Sequence, residues 1–202
     1  MKRLIFTMMM AVCCLFSKEI SYVELLGVGV EMDLITIELK VEIGENGNPT
    51  ENIVFYFTHK NEGFAIYLNK RQREELVGLY NKYEKWKKVA IENKVSHTKE
   101  LGKIDLVRPF FHISEWNVGS LVSIELRAMV GEDSNAFGMK FPKFQNINNS
   151  YLNATPPAIL FMDRSNNSSF NELHNNLGLT TPKEFILDNL EEHFTGDGKL
   201  KK

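Results

Sequence analysis

Between Tyr22 and Leu68 the chain runs through strand-like segments joined by turns of hairpin length, and this restricts its fold more than any other feature. Parallel neighbours need a crossover of about a dozen residues or more, whereas a short turn returns the chain antiparallel. Ile35, Ile37, Leu39, Val41 and Ile43 alternate with Thr36, Glu38, Lys40 and Glu42, the period-two pattern of a strand with one face in a core and one in water. Tyr22 to Val30 is predicted as a preceding strand, loosened by Gly27 and Gly29, and Gly44 to Pro49 ends the run. Ile53 to Thr58 and Phe64 to Leu68 flank His59 to Gly63, which predicts a hairpin.

The second arm of that hairpin runs into the segment Asn69 to Asn93. Leu76, Leu79, Tyr80, Tyr83, Trp86 and Ala90 recur at three- and four-residue steps, which gathers them on one stripe of an α-helix. Asn69 is placed to cap the first turn, and Gln72 to return a hydrogen bond to the cap's own N–H. Large-to-small changes at Leu79 or Tyr83 are expected to cost about 2–5 kcal/mol if the stripe is core.

Beyond the helix, Ile104 to Val107 and Phe110 to Trp116 read as short strands separated by Pro109, which has no N–H to donate. Leu121 to Val130 is a clearer strand, and Ala158 to Met162 another. Gln145 to Pro157 is Asn-rich, as a long surface loop would be. A closing helix is predicted from Thr181-Pro182-Lys183-Glu184, with Thr181 as cap and Ile186, Leu187, Leu190 and Phe194 as its stripe.

These elements predict an α+β fold, a mostly antiparallel sheet of about seven to nine strands covered by two amphipathic helices. IVFYFTHKNEGF in the first half and ILFMDRSNNSSF in the second each lead towards a capped helix, so two meander-plus-helix halves, 18–97 and 98–202, stand beside the plainer reading of shared hairpin grammar. That order of elements resembles the repeats of the PUR-type nucleic-acid-binding fold, on order alone.

The N-terminus carries a different signal. Lys2 and Arg3 precede an uncharged apolar run, Leu4 to Phe16, too short to span a bilayer, which needs roughly 20 helical residues. A secretory signal peptide over 1–17 is the expected reading, with cleavage near 13–18, leaving one domain from 18 to 202. A buried N-terminal strand or helix is the alternative. Both cysteines of the chain, Cys13 and Cys14, lie in this run, which leaves open a lipid-modified cysteine at the new N-terminus. Cleavage after Ser17 would leave a chain without cysteine, and so without disulfides.

Loss of Lys2 and Arg3 from the 24 basic residues leaves 22 against 26 acidic ones, a balance that weighs against generic nucleic-acid binding. Charge is uneven, however. From Lys70 to Lys94 eight Lys or Arg face four Glu, so Lys82, Lys85 and Lys88 are candidates for a patch that docks an anionic partner. The plainer reading is a water-facing helix side with a Glu84–Lys88 pair, and with Lys87 lying along the core edge without need of a partner.

Motifs for chemistry are lacking. None of the five histidines, at 59, 97, 112, 174 and 193, has metal-ligand spacing; His112 and Glu115 come nearest, but residues three apart on a strand point to opposite faces. No nucleophile elbow and no phosphate loop occurs, and Gly27-Val-Gly29 is followed by Glu31 where a third glycine would fall. No catalytic residue, metal or cofactor is therefore assigned. The expectation is an exported envelope or surface protein with a non-enzymatic binding or structural role, its partner an unidentified envelope component or protein, and its only membrane contact a lipid anchor. A small exported hydrolase with a site scattered in sequence is the first alternative. A nucleic-acid-binding module with a misread N-terminus is the second.

Overall fold

The computed structural model describes residues 22–29, 33–43, 49–132 and 134–191. The segment 1–17 expected to be a signal peptide, with Cys13 and Cys14, residues 44–48 and Phe194 lie outside the described residues. The strands are β1 (Tyr22–Gly29), β2 (Leu34–Ile43), β3 (Pro49–His59), β4 (Glu62–Leu68), β5 (His97–His112), β6 (Trp116–Val118), β7 (Val122–Val130), β8 (Ala136–Lys140), β9 (Phe144–Gln145), β10 (Asn153–Ala154) and β11 (Ile159–Met162). Helices α1 (Lys70–Glu92) and α2 (Ser168–Asn176) and a terminal π-helix (Glu184–Glu191) complete the order. The fold is α+β and mostly antiparallel.

The strands follow the order β1, β2, β3, β4, β5, β7, β8, β11, and β11 pairs again with β1 through Val28↔Leu160 and Gly29↔Ile159, so the sheet closes on itself. Closure removes the exposed edges that an open sheet would have to protect. β6 adds to β5, and β9 with β10 forms a separate pair. The β3–β4 turn is tighter than the predicted one: only Lys60 and Asn61 lie between the strands, both at positive φ, as a two-residue hairpin turn requires.

Inward-facing side chains make one core. Ile35, Ile37, Leu39 and Val41 of β2 and Ile53, Phe55 and Phe57 of β3 are buried, as are Phe64, Ile66 and Leu68 of β4 and Ile124, Leu126, Ala128 and Val130 of β7. Leu76, Tyr80, Tyr83 and Ala90 of α1 join the same cluster, with Leu79 and Trp86 packed at its edge. The cap is as predicted: Gln72 N–H donates to Asn69 Oδ1 and Asn69 N–H to Gln72 Oε1, both at 3.0 Å. At the far end the Phe185 ring of the π-helix stacks on Phe161 of β11, centroids 4.1 Å apart. The Thr181 cap is also present, its N–H donating to Glu184 Oε2 at 2.7 Å.

Three sequence expectations change. The two short strands around Pro109 are one strand of 16 residues. It survives proline because β5 hands over from β7, last paired at Val107↔Val122, to β6, first paired at Phe110↔Val118, so ladder continuity is already broken there. The Asn-rich segment holds β10 and a chain of side-chain turns: Asn146 Oδ1 accepts from the N–H of Asn148 at 2.7 Å and of Asn149 at 3.0 Å, and Asn149 Oδ1 from Tyr151 N–H at 3.1 Å. Among the described residues the helices number three rather than two, because Asn167 caps α2 by accepting from Ser169 N–H at 2.9 Å.

Two backbone positions give testable consequences. Gly119 donates its N–H to the Pro109 carbonyl at 2.8 Å, and a Cβ there would meet Pro109 Cγ at 2.6 Å and its carbonyl oxygen at 3.1 Å. Neither a pyrrolidine ring nor a strand carbonyl yields cheaply, so Gly119→Ala is expected to destabilise by about 1–3 kcal/mol, read as a lowered urea midpoint. Leu106 is the opposite case, a branched side chain at φ 60°, with 65% of its surface exposed, in the second bulge of β5. Left-handed backbone costs such a residue about 1–2 kcal/mol, and Asn tolerates it better. Leu106→Asn should therefore hold or raise stability; a clear drop would mean that the leucine side chain packs.

Candidate functional site

Two places on the molecule gather chemistry-bearing side chains. The first is a cleft of about 380 Å³ where α1, the end of β11, the β7–β8 turn and the start of the π-helix meet, lined among others by Lys87, Glu132, Asp163, Arg164, Glu184 and Asp188. Its floor is an ordered network. Tyr83 Oη donates to Asp163 Oδ2 at 2.6 Å, and Lys87 Nζ donates to the same oxygen at 2.8 Å and to Glu84 Oε1. Tyr80 Oη donates to Glu84 Oε1 at 3.0 Å. The α-helical repeat places Tyr80, Tyr83, Glu84 and Lys87 on one stripe, so one carboxylate at the end of β11 meets two of the four, Tyr83 and Lys87.

The electrostatics of the network make it a clamp. Burial first, and then the nearby carboxylates Asp163 and Glu84, push the phenols of Tyr83 and Tyr80 well above their ordinary range. Burial pulls Lys87 down, but hydrogen bonds and charge from Asp163 and Glu84 outweigh it and hold the ammonium above its ordinary range. Both phenols thus stay neutral and the lysine stays charged at neutral pH. A general base or a lysine nucleophile needs the reverse shift. Glu184 is occupied by the Thr181 cap, through its N–H and its hydroxyl at 2.9 Å. Lys87 accordingly has partners, and Glu84 pairs with it rather than with Lys88, which stands 3.9 Å from Glu92 instead.

The second place is the outer face of the barrel over β3, β4 and β5. Register sets Glu38 beside Tyr56, Tyr56 beside Ala65 and Ala65 beside Phe110, while the next row carries Thr58, Gly63, His112 and Trp116. Small residues on β4 leave room, and Trp116 folds back across it: a Cβ on Gly63 would stand 3.2 Å from the indole. Its ring meets Tyr56 edge-on at 6.0 Å between centroids and lies 5.5 Å from His112. Lys40 Nζ sits 5.0 Å from the centre of the Tyr56 ring. Ala65 beneath is 1% exposed, yet Trp116 itself is 50% exposed. The indole is thus half covered by the sheet and half open to water. A trace of this was present in the sequence: Tyr56 and Tyr67 occupy positions where the strand alternation calls for polar side chains.

The basic patch is less uniform than its spacing suggests. Lys82 Nζ donates to the Leu101 carbonyl at 2.5 Å and lies 4.9 Å from the centre of the Trp86 ring, with Lys99 at 5.2 Å from the same ring. Lys88 faces Glu92, and Lys85 is exposed. His112 lies against Trp116, and Glu115 falls in the bend before β6. Among the described residues, no group of three or more His, Cys, Asp or Glu side chains is placed to hold a metal ion. No helix among them is long and apolar enough to cross a membrane. No protein-family model, curated protein or solved structure matches the chain.

Proposed function

We propose that the chain is an exported, non-enzymatic binding protein of the cell envelope that works through the outer face of its barrel. The observation that carries the binding role is Trp116, a large aromatic held by Gly63, Tyr56 and His112 with half its surface in water. Exposed aromatics fixed on a rigid sheet bind at small entropic cost, because their rotamers are already restricted. The cleft at Asp163 supports the non-enzymatic side of the reading, since its phenols are held neutral and its lysine charged.

Export rests on Lys2, Arg3 and the apolar run Leu4 to Phe16. The test is an intact-mass measurement on protein from its own cells together with retention of that protein on the envelope fraction. The expected mature chain begins near residues 13–18 and is retained, and Trp116→Ala releases it. An added diacylglycerol mass on Cys13 or Cys14 would assign a lipid anchor. A cytoplasmic chain that keeps Met1 would overturn the export part. Charge reversal at Lys82, Lys85 and Lys88 tests the basic side of α1 as a second docking surface: unchanged retention assigns those lysines to the scaffold.

The architecture also supports reading the chain as two halves. Strands β1 to β4 run consecutively round the barrel into α1, and β5, β7, β8 and β11 do the same into α2 and the π-helix. The halves would then be two meander-plus-helix units sharing one core. The echo of ILFMDRSNNSSF departs from IVFYFTHKNEGF after its strand, because Ser168 to Phe170 open α2 where Gly63 and Phe64 belong to β4.

A further inference from the structure

We infer that the Trp116 face takes a neutral pyranoside glycan, an inference that rests on the outer-face binding reading above. An aromatic ring presents a partly negative face. A pyranose with equatorial hydroxyls presents its axial C–H bonds, which are partly positive, as a flat apolar side of similar size. Such a sugar stacks on an indole that is half open to water, as Trp116 is. Its hydroxyls at the rim then need both donors and acceptors. The neighbouring side chains supply both: Glu38 and Lys40, 3.8 Å from each other, beside Tyr56, and the imidazole of His112 against the indole.

Charge decides against the other polymers. Lys40, the cation beside the Tyr56 ring, is paired with Glu38, so the charge at this place is balanced. A single-stranded nucleic acid stacks on aromatics too, but it requires a positive groove that follows its phosphates, and a lysine already paired with a carboxylate does not make one. A protein interface of ordinary size depletes charge at its centre and spreads apolar contact over about 800 Å² on each partner. Here the half-exposed indole has the Tyr56 phenol and the His112 imidazole against it, with the Glu38–Lys40 pair beside Tyr56.

The experiment uses the full chain carrying Trp86→Phe, which leaves Trp116 as the remaining one of two tryptophans and so as the reporter. Cellotetraose and chitotetraose are titrated against its fluorescence and against its quenching by acrylamide, with a dT oligonucleotide as the polyanion. The expected result is a saturable change with at least one sugar, protection of Trp116 from acrylamide, and little change with added salt. Trp116→Ala should weaken retention on the same immobilised sugar by about tenfold or more; if that variant does not fold, the acrylamide protection decides alone. Binding of the oligonucleotide that falls steeply with salt, with the sugars silent, overturns the glycan in favour of a nucleic acid. Silent sugars while Trp116→Ala still releases the protein from envelopes overturn the glycan and leave the binding surface standing. Silent sugars with envelope retention unchanged in Trp116→Ala overturn both.

Discussion

Replacing Tyr83 by Ala is expected to lower the unfolding free energy by about 3–5 kcal/mol, the range for truncating a fully buried aromatic. Tyr83 is 0% exposed and has Phe137 against it at 5.7 Å between ring centroids, with Tyr80 at 5.9 Å. The cavity would open where α1 lies against β8, and neither neighbour can fill it without leaving its own contacts. Tyr83→Phe separates packing from the hydrogen bond. It keeps the ring and removes one donor from Asp163, which still has Lys87, so its cost should be about 1–2 kcal/mol. Urea unfolding of the two variants gives both numbers. Equal costs would place the contribution of Tyr83 in its hydroxyl and make the α1 stripe a lesser part of the core than its burial implies.

What the sequence made legible was whatever is decided within a few residues. The Asn69–Gln72 box, the alternation of β2 and the Thr181 cap each join positions at most a turn of helix or a hairpin apart, and each is found where expected. β8 was hidden for a physical reason. Ala136, Phe137, Gly138 and Met139 are buried on both faces, so no alternation marks them, and a Cβ on Gly138 would press on Leu160 at 3.1 Å. α2 was hidden because SSFNELHNN is short and has only Phe170 and Leu173 as apolar residues; its start depends on the Asn167 side chain. The candidate sites were illegible in a stronger sense. Asp163 meets Tyr83 across 80 residues and Lys87 across 76, and Trp116 of β6 meets Tyr56 of β3 across β4 and β5, with Gly63 beneath the indole. Such meetings follow from register round a closed sheet, which no local pattern encodes. Lys87 shows the same limit: an edge position on a helix does not disclose that a carboxylate arrives from another strand.

The same network predicts how the fold responds to alkali. A group whose proton is held more tightly in the folded state than in the unfolded chain adds stability below its unfolded pKa, and that stability is lost as pH rises. Tyr83 and Tyr80 are raised by burial and by the carboxylates, and Lys87 is raised by the same carboxylates against the pull of burial, so all three carry the same sign. In the unfolded chain these groups ionise from about pH 10 upward. Each phenol then costs about 1.4 kcal/mol per pH unit until the folded form also titrates, and Lys87 adds to the loss with the same sign. Stability should therefore be level through neutrality and fall steeply from about pH 10. Tyr83→Phe removes one phenol and should make that fall shallower by about 1.4 kcal/mol per pH unit, although the variant starts from a lower value. Urea midpoints measured from neutral pH into the alkaline range for both proteins supply the test. A steep fall of identical slope in the two would show that the alkaline loss comes from titration elsewhere in the chain, and the buried Tyr83–Asp163–Lys87 junction would then be a packing contact without electrostatic weight.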